Sequence, residues 1–235
     1  MRGAARPVHY RADFRQMKTK LHPVKKLIAQ GEHQQLDFKF EISDAAKIAR
    51  TLVAFANTDG GKLLIGVKDN GAIKGVESDE EYFMIENAAQ RFCRPEIKFT
   101  SKEWNVEGKK VLEIEVPVST EYPHRAPDHK GNYKAYVRVK DQNLLANSVL
   151  MKVWKKRKSN KSIRFVYSEP LQKLLAHLTD NGHLSLSETK QITQLSKFKV
   201  EQLLSDLILL NVIEMRMKET STLFVLKDIP EFESQ

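Results

Sequence analysis

Residues 55–71 have the sequence FANTDGGKLLIGVKDNG, and this stretch is the most informative part of the chain about its fold. A polar break with two adjacent glycines, residues 57–61, ends a helical pattern and is followed by an apolar run at residues 63–67. A run that is apolar on both faces is typical of a central strand, and the Asn70-Gly71 pair after it is typical of a tight turn. The stretch therefore predicts a helix that leads through a short turn into a strand at the centre of a sheet.

The sequence on either side extends this unit into a larger domain. Alternating apolar and polar residues predict strands at 35–41, 112–116 and 133–140, and helical spacing of apolar residues predicts helices at 43–56, 79–92 and 142–157. In the strand at 35–41, the face that carries Asp37, Lys39 and Glu41 is expected to be exposed. The predicted fold class is α+β, with a mixed-sheet domain over residues 21–150.

A second, smaller unit is predicted over residues 165–228. Three amphipathic helices are followed by two short strands with a polar turn between them, which is the element order of a winged helix-turn-helix. The segment 151–164 is interpreted as a basic linker between the two domains, and residues 229–235 as a tail. Residues 1–20 are interpreted as a basic, disordered N-terminus, within which Met17 is a candidate for the true start.

The formal net charge of +9 is confined to two short segments. Residues 1–20 carry a net charge of +5 and residues 151–164 a net charge of +7, whereas residues 21–150 are neutral and residues 165–235 carry −3. No apolar run approaches the length of about eighteen residues that a membrane-spanning helix needs, so no membrane partner is expected. A single cysteine and the lack of a secretory signal indicate a cytoplasmic protein.

Three blocks of the first domain resemble the Schlafen/AlbA-type domain family. They are Gly31-Glu32-x4-Asp37-Phe38-Lys39, residues 54–61 and residues 64–71, and Tyr136-Val137-Arg138 fits the family's last strand. Many bacterial relatives join this domain to a C-terminal winged helix and are labelled DNA-binding proteins or transcriptional regulators. In other members the domain is a metal-dependent endoribonuclease that acts on structured RNA.

For the nuclease members, the resemblance implies a site of three carboxylates at Glu32, Asp37 and Asp69, with Lys39 beside them. Such carboxylates would hold Mg²⁺ or Mn²⁺, and the Lys39 ammonium could stabilise charge on a phosphate. The family usually has glutamate where this chain has Asp37, which shortens that side chain by one methylene. The alternative interpretation is that these are solvated acids at strand ends. Other cofactors are not expected, because the sequence contains no P-loop for ATP.

Two groups of residues are candidates for binding DNA or structured RNA. Cations in the basic linker could contact phosphates, its tryptophan could stack on a base or cover the packing seam of the helix, and two lysines begin the third helix of the second unit. These residues are Lys152, Trp154, Lys155, Lys156, Arg157, Lys158, Lys161, Arg164, Lys197 and Lys199. Because the second unit is acidic overall, it could instead pack against the first domain, dimerise or bind a protein. The single copy of the Schlafen/AlbA-type domain implies a homodimer if a two-domain groove is to form.

Three functions are therefore open at the level of sequence. The favoured one is a nucleic-acid-binding protein without catalytic activity, such as a bacterial transcriptional regulator. The second is a metal-dependent endoribonuclease that uses Glu32, Asp37 and Asp69. The third is an adaptor whose winged helix binds a protein partner.

Overall fold

The structure is a computed structural model that describes residues 21–77, 79–159, 162–163 and 166–227. The predicted N-terminus at 1–20 and tail at 229–235 lie outside these residues, as do Lys161 and Arg164. Among the helices of the described part, none combines the length and the apolar character needed to cross a lipid bilayer.

The first domain is built on a mixed sheet, as the sequence predicted, and this sheet has four strands. Its elements are α1 (Pro23–Ile28), β1 (Leu36–Lys39), α2 (Ala45–Ala56), β2 (Gly61–Ile65), α3 (Glu80–Arg91), β3 (Thr100–Val106) and β4 (Lys109–Val116). The strand order is β1-β2-β4-β3, in which β1 and β2 are parallel and the other pairs are antiparallel. Two short hairpins follow, β5 (Ala126–Pro127) with β6 (Tyr133–Lys134) and β7 (Tyr136–Val139) with β8 (Gln142–Leu145).

The turn from α2 into β2 explains the two adjacent glycines of the opening stretch. Gly60 has a φ of +68°, and a Cβ atom at this position would lie 2.8 Å from the carbonyl oxygen of Val116. At Gly61 a Cβ atom would meet the ring of Phe55 at 2.5 Å. Only glycine lets the helix enter the sheet so closely, which confirms the predicted helix–turn–strand unit.

Both faces of the sheet are covered, because side chains alternate along each strand. Leu36 and Phe38 of β1 pack in a cluster with Val24 of α1, whereas Leu63 and Ile65 of β2 pack in the cluster of α2 and α3. The face of β1 that carries Asp37 was expected to be exposed, and this prediction is wrong: the Asp37 residue is only 4% exposed.

The segment after β7 also differs from its prediction. A helix was expected over residues 142–157, but residues 142–145 pair with β7 as strand β8. The helix α4 then runs over Ser148–Ser159, and Asn147 caps it by accepting a hydrogen bond from the backbone nitrogen of Leu150. The segment interpreted as a basic linker is therefore helical as far as Ser159.

The C-terminal unit has the predicted order of three helices and a β-hairpin. It contains α5 (Glu169–Asn181), β9 (Leu184–Ser185), α6 (Leu186–Thr193), α7 (Lys197–Leu209), β10 (Ile213–Met217) and β11 (Thr222–Leu226). The strands form an antiparallel sheet in the order β10-β11-β9. Val149 of α4 lies in the apolar core of this unit, so α4 belongs to its packing as well as to that of the first domain.

Candidate functional site

Asp37 and Arg138 form a buried ion pair between β1 and β7. An Nη2 of Arg138 lies 3.1 Å from Oδ1 of Asp37, and the two side chains are 2% and 5% exposed. Lys39, two residues along β1 and therefore on the same face, lies with its Nζ 3.0 Å from Oδ2 of Asp37. Both carboxylate oxygens of Asp37 are thus occupied by cations.

Glu32 joins this group from the loop before β1. Its Oε1 accepts a hydrogen bond of 2.8 Å from the backbone nitrogen of Phe38 and lies 4.0 Å from Nζ of Lys39. Burial and the neighbouring Asp37 carboxyl raise the pKa of Glu32 above its ordinary value. We call Glu32, Asp37, Lys39 and Arg138 the charged cluster; with two acids and two bases, its formal charge is zero.

Polar contacts from α2 hold β7 in place beside β1. The side-chain amide of Asn57, at the end of α2, donates to the carbonyl oxygen of Tyr136 at 2.8 Å and to that of His124 at 3.0 Å. The Thr58 hydroxyl accepts from the backbone nitrogen of Arg138 at 2.9 Å. The Asn-Thr pair of the opening stretch therefore positions Arg138, which sequence reasoning did not identify as a site residue.

The three carboxylates predicted for a metal site are not assembled into one. Asp69 is exposed in the turn after β2, and within the described ranges no group of three or more His, Cys, Asp or Glu side chains is positioned to hold a metal ion. A divalent cation at the charged cluster would also lie against the guanidinium of Arg138 and the ammonium of Lys39. The residues as arranged do not fit a metal held by all three carboxylates.

Helix α4 carries most of the cations of the predicted linker, but its tryptophan faces inward. Trp154 is 4% exposed and packs against Ala135 and Val137 of the first domain, with its ring 6.0 Å from that of Tyr122. The prediction that Trp154 stacks on a base is therefore wrong, because its ring is part of an apolar core. Val149 and Val153 are buried on the same helix.

Two of the predicted nucleic-acid contacts on α4 are neutralised by acids of α7. Nζ of Lys156 lies 2.7 Å from Oδ1 of Asp206, and Nζ of Lys152 lies 3.5 Å from Oε2 of Glu201. Glu201 is only 7% exposed and also accepts a 2.6 Å hydrogen bond from the hydroxyl of Ser148. The packing of the acidic C-terminal unit against the rest of the chain was one of the alternatives open from the sequence.

The α4 contact covers one flank of α7. Val200, Leu204 and Leu207 are buried in the core of the C-terminal unit, and helical periodicity turns Glu201 and Ser205 away from that side. Both residues are nevertheless buried, and Lys156 donates to the Ser205 hydroxyl at 2.8 Å. The contact with α4 therefore lies on the flank of Glu201 and Ser205, whereas Lys197, Lys199 and Gln202 of the third helix stay exposed.

A different face of α4 lines an open groove with Arg125. This cavity of about 510 Å³ has Pro95, Pro123 and Met151 in its wall and also contacts Arg125, Lys152, Lys155, Lys158 and the single acid Glu121. In the part of the chain that the structure describes, none of Arg125, Lys155 and Lys158 forms an ion pair. Nζ of Lys158 donates a hydrogen bond of 3.5 Å to the carbonyl oxygen of Glu121. We call Arg125, Lys155 and Lys158 with this cavity the basic groove.

Sequence reasoning missed Arg125, which lies directly before β5. The residue opposite to it is Arg94: each of the two backbone nitrogens donates to the other residue's carbonyl oxygen, at 2.8 and 2.9 Å. The guanidinium of Arg94 stacks on the ring of Tyr133 at 4.0 Å. Because the two arginines are thirty-one residues apart in the chain, no local pattern indicates that they pair.

The remaining predicted cations are on the surface. Arg157, at the end of α4, and Lys197 and Lys199, at the start of α7, are all exposed. Lys199 does not line the basic groove, nor does it line the separate cavity that Asp37, Lys39 and Arg138 line. These residues stay predictions for nucleic-acid contact.

Comparison with known proteins finds a family model that matches part of the chain. Residues 32–147 match the family model described as Schlafen, AlbA_2. No curated protein sequence matches the chain.

Two solved structures are similar to part of the chain. The DIP2311 protein of Corynebacterium diphtheriae is 21% identical with a TM-score of 0.41, and the match covers 66% of this chain and 36% of that protein. The N-terminal domain of a RecG-related protein of Nitrosomonas europaea is 20% identical with a TM-score of 0.37, and covers 63% of this chain and 97% of that domain. The chain therefore spans about a third of the length of DIP2311.

Proposed function

We propose that this chain, in which residues 32–147 match the Schlafen, AlbA_2 family model, binds nucleic acid through its basic groove and is not a nuclease. One observation carries the proposal. Among the described residues, Arg125, Lys155 and Lys158 face a single cavity and have no carboxylate partner, whereas the neighbouring Lys152 and Lys156 are each paired with an acid.

Like charges held together around a cavity repel one another, and an anion between them relieves that repulsion. The phosphates of DNA and RNA are anions at a regular spacing, and proteins gain much of their affinity for nucleic acid by neutralising them. The apolar wall of Pro95, Pro123 and Met151 offers a surface on which a sugar or base can rest. The groove therefore has the chemistry of a backbone contact, which does not depend on base sequence.

The role as a transcriptional regulator rests on the C-terminal unit, whose element order is that of a winged helix-turn-helix. Because residues 165–235 carry a net charge of −3 and two acids of α7 bind lysines of α4, we place the principal nucleic-acid contact at the basic groove and not at this helix. A homodimer, which the family resemblance implies, would present two such grooves to one nucleic acid.

The test is a binding titration with fluorescein-labelled duplex DNA and a labelled RNA hairpin, measured by fluorescence anisotropy. The double variant Lys155→Gln/Lys158→Gln is expected to bind on the order of tenfold more weakly than the wild type. The matched control is Lys199→Gln/Lys218→Gln, which removes the same charge from exposed positions of the C-terminal unit. A loss in the control and not in the groove variant would move the site to the C-terminal unit and overturn the proposal.

The absence of catalysis is tested separately by incubating the protein with tRNA in the presence and absence of Mn²⁺. We expect intact RNA in both cases, because the charged cluster is already neutral and Asp69 is not part of it. Mn²⁺-dependent cleavage that is lost in Asp69→Ala and kept in Lys156→Ala would show that the protein is an endoribonuclease.

A further inference from the structure

We propose that a second cavity, between α4 and the C-terminal unit, binds a small molecule with an apolar body and an anionic head group, such as a medium-chain carboxylate. This cavity has a volume of about 540 Å³, which lies within the range of pockets that hold small ligands. We call it the junction cavity. It is separate from the basic groove and the charged cluster, with which it shares no lining residue.

Four segments meet at the junction cavity. The start of α4 contributes Asn147, Ser148 and Val149, and the start of α6 with the residue before it contributes Ser185, Leu186, Ser187 and Lys190. The first turn of α7 contributes Lys197 and Val200, and the hairpin of β10 and β11 contributes Thr220, Ser221, Thr222 and Phe224. The amide of Asn147 donates to Thr222 at 3.4 Å, which ties α4 to the hairpin at this point. Pockets for small ligands form preferentially where such units meet.

The lining has two chemically different parts. Val149, Val200 and Phe224 are buried and provide an apolar wall. Side-chain hydroxyls surround it, from the serines and threonines of α4, the start of α6 and the hairpin turn. An apolar wall with a small number of polar groups suits an organic ligand better than a bare inorganic ion.

The charge of the lining selects an anionic head group. Lys190 of α6 and Lys197 of α7 both line the cavity, and none of the described residues that line it is acidic. Neither lysine has an ion-pair partner among the described residues, and the nearby Glu188 is engaged in the capping box with Ser185. A carboxylate placed between the two ammonium groups would supply the missing partner.

A ligand in this cavity would touch α4 and the C-terminal unit at the same time. Val149 and Ser148 come from α4, whereas Lys197 and Val200 come from α7. Binding would therefore favour the arrangement in which α4 covers α7, because only that arrangement presents both sets of contacts. This inference does not depend on whether the basic groove binds nucleic acid.

The experiment uses the full chain and 1-anilinonaphthalene-8-sulfonate, a fluorescent probe with an apolar body and one anionic group. We expect saturable fluorescence enhancement by the wild type that octanoate reverses, whereas octylamine at the same concentration does not. The variant Lys190→Gln/Lys197→Gln should bind octanoate on the order of tenfold more weakly, because two charge-assisted contacts are lost. The matched control Lys173→Gln/Lys199→Gln changes the same charge on α5 and α7 outside the cavity and should keep the wild-type affinity.

A second variant separates the cavity from general surface charge. Ser221 is exposed at the cavity mouth, so Ser221→Trp should fold normally while its indole fills the space and abolishes displacement by octanoate. No saturable probe binding by the wild type, or equal displacement by octanoate and octylamine, would overturn the proposal. So would an unchanged octanoate affinity in both Lys190→Gln/Lys197→Gln and Ser221→Trp.

Discussion

The charged cluster and the basic groove use the same residue types for different purposes. In the charged cluster, Arg138 and Lys39 are matched by two carboxylates, and Arg138 is buried. In the basic groove, Arg125, Lys155 and Lys158 face open space and have no acid partner in the part of the chain that the structure describes. Cations whose partners lie within the chain hold the fold together, whereas cations without such partners are available to a ligand.

Helix α4 shows this difference between adjacent residues. Lys155 faces the basic groove, and Lys156 is bound to Asp206 of α7. Successive residues of a helix point about 100° apart, so neighbours in the sequence reach different surroundings. The net charge of a segment therefore does not tell how many of its cations can bind phosphate.

The largest effect on stability is expected from breaking the ion pair between Arg138 and Asp37 in the charged cluster. Arg138→Leu leaves the Asp37 carboxylate buried with Lys39 alone and should lower the free energy of unfolding by about 3 kcal/mol. Urea denaturation followed by tryptophan fluorescence measures this loss. The double variant Asp37→Leu/Arg138→Leu removes both charges and should regain at least half of the stability; a single variant as stable as the wild type would show that the pair is not structural.

A smaller effect on stability is expected to distinguish Lys156 from Lys155 on α4. Lys156→Gln removes a partly buried ion pair and should lower the free energy of unfolding by about 1 kcal/mol, with unchanged affinity for nucleic acid. Lys155→Gln should leave stability unchanged and weaken binding. Each variant is the control for the other. The stability of both is measured by thermal unfolding, and their affinity for nucleic acid by fluorescence anisotropy. If both variants lose affinity equally, the distinction between paired and unpaired cations on α4 is wrong.

The smallest effect concerns the titration of Glu32. Because burial and Asp37 raise its pKa, the folded protein holds this proton more tightly than the unfolded chain does. Glu32 therefore adds stability at acidic pH, and this contribution is lost as the pH rises through the raised pKa. Glu32→Gln, which keeps an oxygen acceptor for the Phe38 nitrogen, should slightly stabilise the protein at pH 7 and flatten the decline of stability above pH 4.5. An identical pH profile in the variant would show that the Glu32 carboxyl does not titrate differently in the folded state.

Much of the fold could be predicted from local sequence. The glycine pair at 60–61, the apolar run after it and the periodicity of the C-terminal helices each specify their element through neighbouring residues. The burial of Asp37 could not be predicted in this way, because the alternation at β1 shows two faces but not that Arg138, a hundred residues later, covers one of them.

The candidate site was predicted less well for the same reason. The cations of α4 were identified from composition, but their division between α7 and the basic groove depends on tertiary packing. Trp154 is of a residue type that can stack on a base, but in the structure its ring lies in an apolar core with Ala135 and Val137. Arg125 was missed because it joins Lys155 and Lys158 only through the fold.

The salt dependence of DNA binding shows whether the cations of the basic groove contact phosphate. The affinity of the wild type for duplex DNA is measured by anisotropy between about 50 and 200 mM salt, beside Lys155→Gln/Lys158→Gln and Lys156→Gln/Lys173→Gln, whose lysines are paired with acids and lie outside the groove. We predict that the groove variant flattens the slope of log affinity against log salt by about 2, and that the variant of the paired lysines keeps the wild-type slope. Equal slopes for the wild type and the groove variant would contradict the account, because the groove cations would then not be the ones that contact phosphate.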